Sequence, residues 1–452
     1  VKTRPLLFCR NNRQNDWPNK RIGPIMTLRP FIGAALLLSV LAACGEEQII
    51  LPGERFDIRD SVAVVNQSLP LALPQARINA DWTQSAARPA HPAIGADLQP
   101  AFVAQIGAGD SRRARITGAP VVAGGVVYTV DAGATVTATT TSGQTLWQRD
   151  LTPARFNAGE ASGGAVSFGG GRVYVTTGFG EITALDPATG GTLWTKNLNA
   201  PVNAPASFNG DLVYVVARDS TAWALDAATG LTRWQQSGTP SLTAFAGSAP
   251  VAVSGDIVVI PFSSGEILAT YPQGGLPRWT NVVAGDRLGR AVTLVSDIAG
   301  APVIDAGRVY AASFGGRSVA FDLRDGSRIW TAGEGAVGQI WPAGGSVFMV
   351  NDISELVRLD AATGAPVWRV ALPGLASDNS RRQRSVIAHF GPVLAGGRLI
   401  VASSDGLIRQ FDPVSGALIG TIALPGGAAS APVVAGQTLY VITQTGQLHA
   451  FR

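Results

Sequence analysis

With 452 residues, 46% of them apolar and only 15% charged, the chain can bury a large core, either as one domain or as two or three smaller ones. Its 54 glycines suit short strands and tight turns, and no long helical periodicity is visible after residue 44. Of 35 basic and 31 acidic residues, 7 and 1 fall within residues 1–43; the remainder carries 28 against 30, a net of −2, which excludes a global attraction to nucleic acid or anionic lipid.

Residues 1–25 are basic and unlike a signal-peptide n-region, so Met26 is read as the natural start. Met26-Thr-Leu-Arg29 precedes an apolar run over residues 31–41, too short to span a bilayer comfortably, which ends Leu41-Ala-Ala-Cys44-Gly45. Residues 1–43 are therefore predicted to be leader and signal peptide. Leu-Ala-Ala-Cys resembles the bacterial lipobox, and that resemblance makes Cys44 the expected lipidation site. Acyl chains such as palmitate would anchor the protein, each buried CH₂ contributing about 0.8 kcal/mol. Gly45, in place of an Asp, implies the outer membrane by the enteric sorting rule. Residues 44–80 read as a tether containing Leu51-Pro-Gly-Glu-Arg-Phe56. Cys9 and Cys44 are the two cysteines, so residues 45–452 have no disulfide, thiolate site or catalytic thiol.

Beyond residue 80 one unit recurs. Its clearest copy runs from Gly171 to Trp194: apolar Val173-Tyr-Val175, a glycine turn, Ile182-Thr-Ala-Leu185, the turn Asp186-Pro-Ala-Thr-Gly190, then Leu193-Trp194. The Asp carboxylate can accept backbone N–H groups just ahead, and Gly takes the positive φ that closes the turn. Copies end at Trp147, Trp194, Trp234, Trp279, Trp330 and Trp368, and the seventh has Ile419 where Trp is expected. The eighth starts at Ala431-Pro-Val-Val434 and stops at Phe451-Arg452 without a last strand. A period of about 40–50 residues with four strands predicts propeller blades. The missing strand is expected from the stretch Leu98 to Ile106, with Phe102 at the Trp position. Residues 81–452 are thus predicted to form an all-β, eight-bladed β-propeller of four-stranded antiparallel blades, closed by an N-terminal strand. The six Trp residues are expected to pack over the next blade's turn, with the N–H on a backbone acceptor. Asp186, Asp226, Asp322, Asp360 and Asp412 are read as turn formers.

Little in the pattern carries chemistry. His91, His389 and His449 are scattered without metal-ligand spacing, and neither G-x-S-x-G nor H-E-x-x-H occurs. Over residues 82–452 the repeat resembles the PQQ-type propeller repeat, a family that includes quinoprotein dehydrogenases. Those enzymes use a vicinal Cys pair, a calcium site and an Asp base, and this domain has no cysteine. No catalytic residue, metal or cofactor is expected; the alternative is a periplasmic quinoprotein relative, or a propeller that binds a small ligand in its channel.

A lipobox, an eight-bladed propeller, the motif Leu51-Pro-Gly-Glu-Arg and the stretch Asp81-Trp-Thr-Gln84 together resemble the BamB family, alphaproteobacterial type. These are lipoproteins of the machinery that assembles outer-membrane β-barrels. The resemblance implies a scaffold on the periplasmic face of the outer membrane that docks on the POTRA domains of BamA through its middle blades. It also implies that the scaffold orients those domains or offers strand edges to unfolded barrel precursors. A family segment Ser-Leu-x-Leu-Arg-Gly-x-Ser-Ala-Pro matches residues 241–250: Leu242 keeps its type, while Ala244 and Phe245 replace Leu and Arg. A second, Leu-Ser-Asp-x-Asp, matches residues 295–299: Asp297 is kept and Ala299 replaces the second Asp. These five are the implied partner-binding residues. The two longest intervals contain Asp286-Arg-Leu-Gly-Arg290 and Ser380-Arg-Arg-Gln-Arg384, and extra loop length on a rigid scaffold usually serves binding.

Overall fold

In the stretch around Tyr174 four strands, Gly164–Gly169, Arg172–Thr177, Glu181–Leu185 and Thr192–Asn197, pair antiparallel in chain order. The reasons are local. Gly170 and Gly171 turn the first hairpin at φ of 54° and 71°. Asp186 Oδ1 accepts from Ala188 N (3.1 Å), Thr189 N (2.9 Å) and Thr189 Oγ1 (2.8 Å), and Gly190 closes the turn at φ 70°. Asp226 and Asp360 repeat this geometry with Thr229 and Thr363. Hydrogen bonds from Thr229 and Arg233 hold the Asp226 carboxyl down at about 2.

The computed structural model describes residues 65–84, 91–157, 159–241, 249–283, 285, 295–298, 300–336, 338–376 and 386–452. The leader, Cys44, Leu242, Ala244, Phe245, Ala299 and the arginines of 380–384 lie outside the described residues.

Eight sheets of four strands form the ring of an eight-bladed propeller. We number the blades 1 to 8 from the one spanning residues 121–150. Blade 8 takes its three inner strands from the C-terminus and its outer strand, Pro100–Gln105, from the N-terminal side. Gln99 and Arg452 exchange backbone hydrogen bonds at the join (2.6 and 2.9 Å). The closure joins the first and last parts of the chain in one sheet, so the ring has no open blade.

Neighbouring blades are joined by aromatic side chains of the outer strands. Trp147, Trp194, Trp234, Trp279, Trp330 and Trp368 donate to Pro187, Ala227, Pro272, Leu323, Ala361 and Pro413 carbonyls, each in the following blade's outer turn, at 2.8–3.3 Å. Each indole lies against the turn glycine; a Cβ on Gly190, Gly230 or Gly364 would stand 2.6 Å from the ring. Phe102 does the same for blade 8, lying against Gly143 of blade 1.

Blade 7 corrects one expectation. A bulge in each outer strand places Trp opposite a fixed residue of the neighbouring strand, as Trp194 opposite Ala184. In blade 7 that register pairs Gly420 with Gln410, while Ile419 is the bulged, exposed residue. The Trp position is therefore Gly420. The cause is the closure: blade 8's third strand ends at Phe451 and is not followed by an outer turn, so an indole at position 420 would have nothing to cover. Residues just before the closing strand fill that place, with the Arg398 guanidinium on the carbonyls of Gly95 and Ala96 and on Gln410 Oε1.

Candidate functional site

Antiparallel order gives the ring two distinct ends. Turns between first and second strands, and between third and fourth, lie at one end. Turns between second and third strands, and the connections from each outer strand to the next blade, lie at the other.

The first end is covered by the chain itself. The described part of the stretch read as a tether, residues 65–80, is held against the blades. Asn66 bonds the backbone N and O of Arg369 in blade 6 (3.0 Å each). Arg358 donates to the carbonyls of Leu69 and Pro70. Asn79 reaches blade 8 through the Val434 carbonyl (2.7 Å). Trp82 exchanges backbone bonds with Val122 of blade 1 (2.8 and 2.9 Å), Thr83 accepts from Phe168 of blade 2, and the Gln84 amide pairs with both backbone groups of Phe208 in blade 3. The Trp82 indole is buried 6.1 Å from Trp341 of blade 6, so it bridges two inner strands that are not sequential neighbours. His91 pins the return of this strap: its Nδ1–H donates to Pro74 O (2.6 Å) and its Nε2 accepts from Gly397 N (2.9 Å).

The other end holds a cavity of about 490 Å³. Seven blades contribute to it, with Arg115, Asn203, Gln339, His389, Ser430 and Gln444 supplying polar groups and Ala119, Pro205, Pro250 and Ala301 apolar ones. Its charges are compensated. The Asp110 carboxylate accepts from Ile116 N (2.8 Å) and pairs with Arg115 (3.2 Å). His389 donates from Nε2 to Pro373 O (2.9 Å), leaving Nδ1 to accept from Ser403 Oγ (2.7 Å), and burial pulls its pKa below the usual imidazole range. Among the described residues no group of three or more His, Cys, Asp or Glu side chains is placed to hold a metal ion. The three histidines stand apart, on the strap, on blade 7 and on blade 8.

The three divergent segments of the sequence connect Ser237 to Ala252, Val282 to Val303 and Ala371 to His389. All three are outer-to-inner connections, so they leave the ring at the cavity end. Asp297 is the one implied partner residue within the described set. It is buried, lines a small pocket with Val216 of blade 3 and Ala249 and Phe262 on the blade 4 side, and its backbone carbonyl accepts from Phe314 N of blade 5 (2.9 Å).

The same end carries a group that sequence reading did not single out. Phe156, partly exposed on the connection from blade 1 to blade 2, stacks on Phe179 at 5.2 Å, and the Arg155 guanidinium lies 4.9 Å above Phe156. The signal was the 47-residue interval between Trp147 and Trp194, longer than the 40 that follows.

The chain matches the family model described as outer membrane protein assembly factor BamB over residues 132–370 and 355–452. It is 31% identical to BamB of Escherichia coli over 73% of this chain and 83% of that protein. It is 28% identical to BamB of Legionella pneumophila over 47% of this chain and 52% of that protein, so it spans about half the length of that curated relative. Among solved structures, BamB from Moraxella catarrhalis superimposes with a TM-score of 0.63 at 20% identity, covering 79% of this chain and all of that one. The quinohemoprotein alcohol dehydrogenase of Comamonas testosteroni reaches a TM-score of 0.62 at 14% identity over 83% and 81%. At those identities the two superpositions speak to fold alone.

Proposed function

Because the chain belongs to the family of outer membrane protein assembly factor BamB, we propose that it is a non-catalytic, lipid-anchored scaffold on the periplasmic face of the outer membrane. It binds the POTRA domains of BamA and assists the folding and insertion of β-barrel proteins. Cys44 carries the lipid, and the residues before the strap act as the tether.

One observation carries the docking part of this reading. The three segments that depart most from the repeat share one end of a rigid ring, while the chain's own strap covers the other. A rigid ring with clustered variable connections is how a scaffold presents a binding surface. The docking face is therefore the cavity end, whose connections carry Leu242, Ala244, Phe245 and Ala299 in sequence and include the buried Asp297.

The test is co-purification of the mature lipoprotein with BamA from detergent-solubilised outer membrane. Phe245→Asp places a charge where an apolar contact is expected and should abolish it, because an unpaired charge in a desolvated contact costs several kcal/mol. Unchanged co-purification would remove Phe245 from the interface. Asp297→Arg is the less clean probe, since the carboxylate is buried and the variant would lose stability before it reported on docking.

A further inference from the structure

Charge is unevenly spread over the cavity end of the ring. The connections from blade 2 to blade 3 (198–206) and from blade 7 to blade 8 (424–432) carry no charged residue. Those that enter and leave blade 1 carry four arginines: Arg112, Arg113 and Arg115 before it, and Arg155 after it. All four are exposed, with 55% of the Arg115 and 59% of the Arg155 side chain open to solvent. Two carboxylates share these connections. Asp110 is largely covered and already engaged by Ile116 N and Arg115, which leaves Glu160 as the exposed one. In a body whose residues 45–452 sum to a net of −2, this is a local excess of positive charge.

The two connections are fixed to each other. Arg115 N donates to Ser162 Oγ (2.9 Å), and Thr117 Oγ1 donates to Gly164 O (3.0 Å). Phe156 N donates to Pro153 O (2.9 Å) and the Asn157 amide to Glu160 Oε1 (2.6 Å), so the second connection closes on itself. There the Arg155 guanidinium lies on Phe156 and Phe156 on Phe179, at 4.9 and 5.2 Å. These contacts hold Phe156, 37% exposed, in place before any partner arrives. Arginine and aromatic side chains held in advance carry much of the energy of protein interfaces, because they bury a large area and lose little freedom in doing so. Among the described residues the Arg112 and Arg113 side chains have no hydrogen-bond or ion-pair partner.

We propose that this arginine and aromatic cluster is a second contact of the docking face, taking a carboxylate-bearing surface of the same POTRA domains. It rests on the scaffold reading above and adds the side of the ring around blade 1, whereas the resemblance implies the middle blades. A protein surface fits better than a lipid one for two reasons. The cluster shares its end of the ring with the three divergent connections, and Phe156 is tied to Arg155 and Phe179 instead of projecting alone. The roles divide by chemistry. Exposed arginines draw carboxylates in before contact forms, which raises the association rate and makes it salt-dependent, while Phe156 holds the complex once formed.

The experiment measures the binding kinetics of the mature lipoprotein with purified BamA, both in detergent, from about 0.05 to about 0.5 M salt. Arg112→Glu with Arg113→Glu should lower the association rate about tenfold at the low-salt end and flatten its salt dependence, with dissociation little changed. Phe156→Ala should instead speed dissociation about tenfold. The control is Arg77→Glu with Arg324→Glu, the same charge change on exposed residues of the strap end, which should leave the rates unchanged. All four arginines are exposed, so both double variants should keep the parent's thermal midpoint. An association rate as fast in the Arg112 and Arg113 variant as in the parent, or one lowered equally by the strap-end pair, would overturn the second contact. So would parental BamA kinetics in that variant together with loss of its binding to anionic phospholipid vesicles, which would assign the cluster to a membrane. A parent chain that does not bind BamA at all would overturn the scaffold reading and the second contact with it. Binding abolished by Phe245→Asp yet untouched by the arginine and Phe156 variants would overturn the second contact alone.

Discussion

Trp82 and Trp341 meet inside the ring, 6.1 Å apart at an angle of 39°, although 259 residues separate them in the chain. Trp82 comes from the strap and Trp341 from the inner strand of blade 6; both are buried. Their contact ties the strap to the side of the ring opposite its backbone bonds with blades 1 and 2. Trp82→Ala should remove this tie and leave a large void, costing about 3–5 kcal/mol. The expected result is a lower urea midpoint together with new proteolytic cleavage within residues 65–84; an unchanged cleavage pattern would mean the strap is held by its backbone bonds alone.

Glycine substitutions can separate backbone strain from crowding. Gly171 and Gly190 have nearly the same φ, 71° and 70°, but a Cβ on Gly171 meets nothing within 4 Å, whereas on Gly190 it stands 2.6 Å from the Trp147 ring. Gly171→Ala should cost about 1–2 kcal/mol, the strain of a left-handed residue. Gly190→Ala should cost that plus about 1–3 kcal/mol of overpacking. Thermal or urea midpoints of the two variants, measured side by side, check the order; equal losses would show that the indole moves aside freely.

Blade 7 offers a reciprocal test of the inter-blade Trp. Trp234→Ala removes a nearly buried side chain and its bond to Pro272 O, with an expected loss of about 3–5 kcal/mol. Gly420→Trp, which restores the repeat's residue, should give no gain in midpoint, since blade 8 has no outer turn for it to cover. A stabilised Gly420→Trp protein would refute the link between closure and the missing Trp.

Acid should weaken the fold through buried imidazoles. Burial holds the pKa values of His449 and His389 below that of an exposed imidazole; the Pro373 carbonyl and the Asp405 carboxylate favour the charged form of His389 but do not outweigh its burial. The unfolded chain takes up these protons near pH ~6.5, before the folded one does. Their contribution is therefore complete above that pH and is lost as pH falls through the lower, folded values. His449→Phe should keep the stacking position against Phe451 and flatten the fall in stability from about pH 7 to about pH 5. An unaltered pH profile would show that His449 is not one of the groups that titrate on unfolding.

Much of this architecture is legible in the chain because it is local and repeated. Asp186-Pro-Ala-Thr-Gly190 specifies its turn with atoms three residues apart, and the recurrence of that turn with Trp counts the blades. The unpaired end of copy eight and the spare strand around Phe102 even point to the closure. What required the tertiary structure is whatever depends on register and on which end of a strand faces where. The Trp position of blade 7 is not among these: each turn glycine precedes its Trp by four residues, as Gly190 does Trp194, and the same step from Gly416 reaches Gly420 and not Ile419, which the register of the bulged strand bears out. The strap's bonds to blades 1, 2, 3, 6 and 8 join residues from 40 positions apart, as Trp82 and Val122, to 355 apart, as Asn79 and Val434, and are satisfied largely through backbone groups that carry no sequence signature. Arg112, Arg113, Arg115 and Arg155 were visible as letters, yet their meeting with Phe156 and Phe179 became evident only once the ring showed which connections lie side by side at the same end.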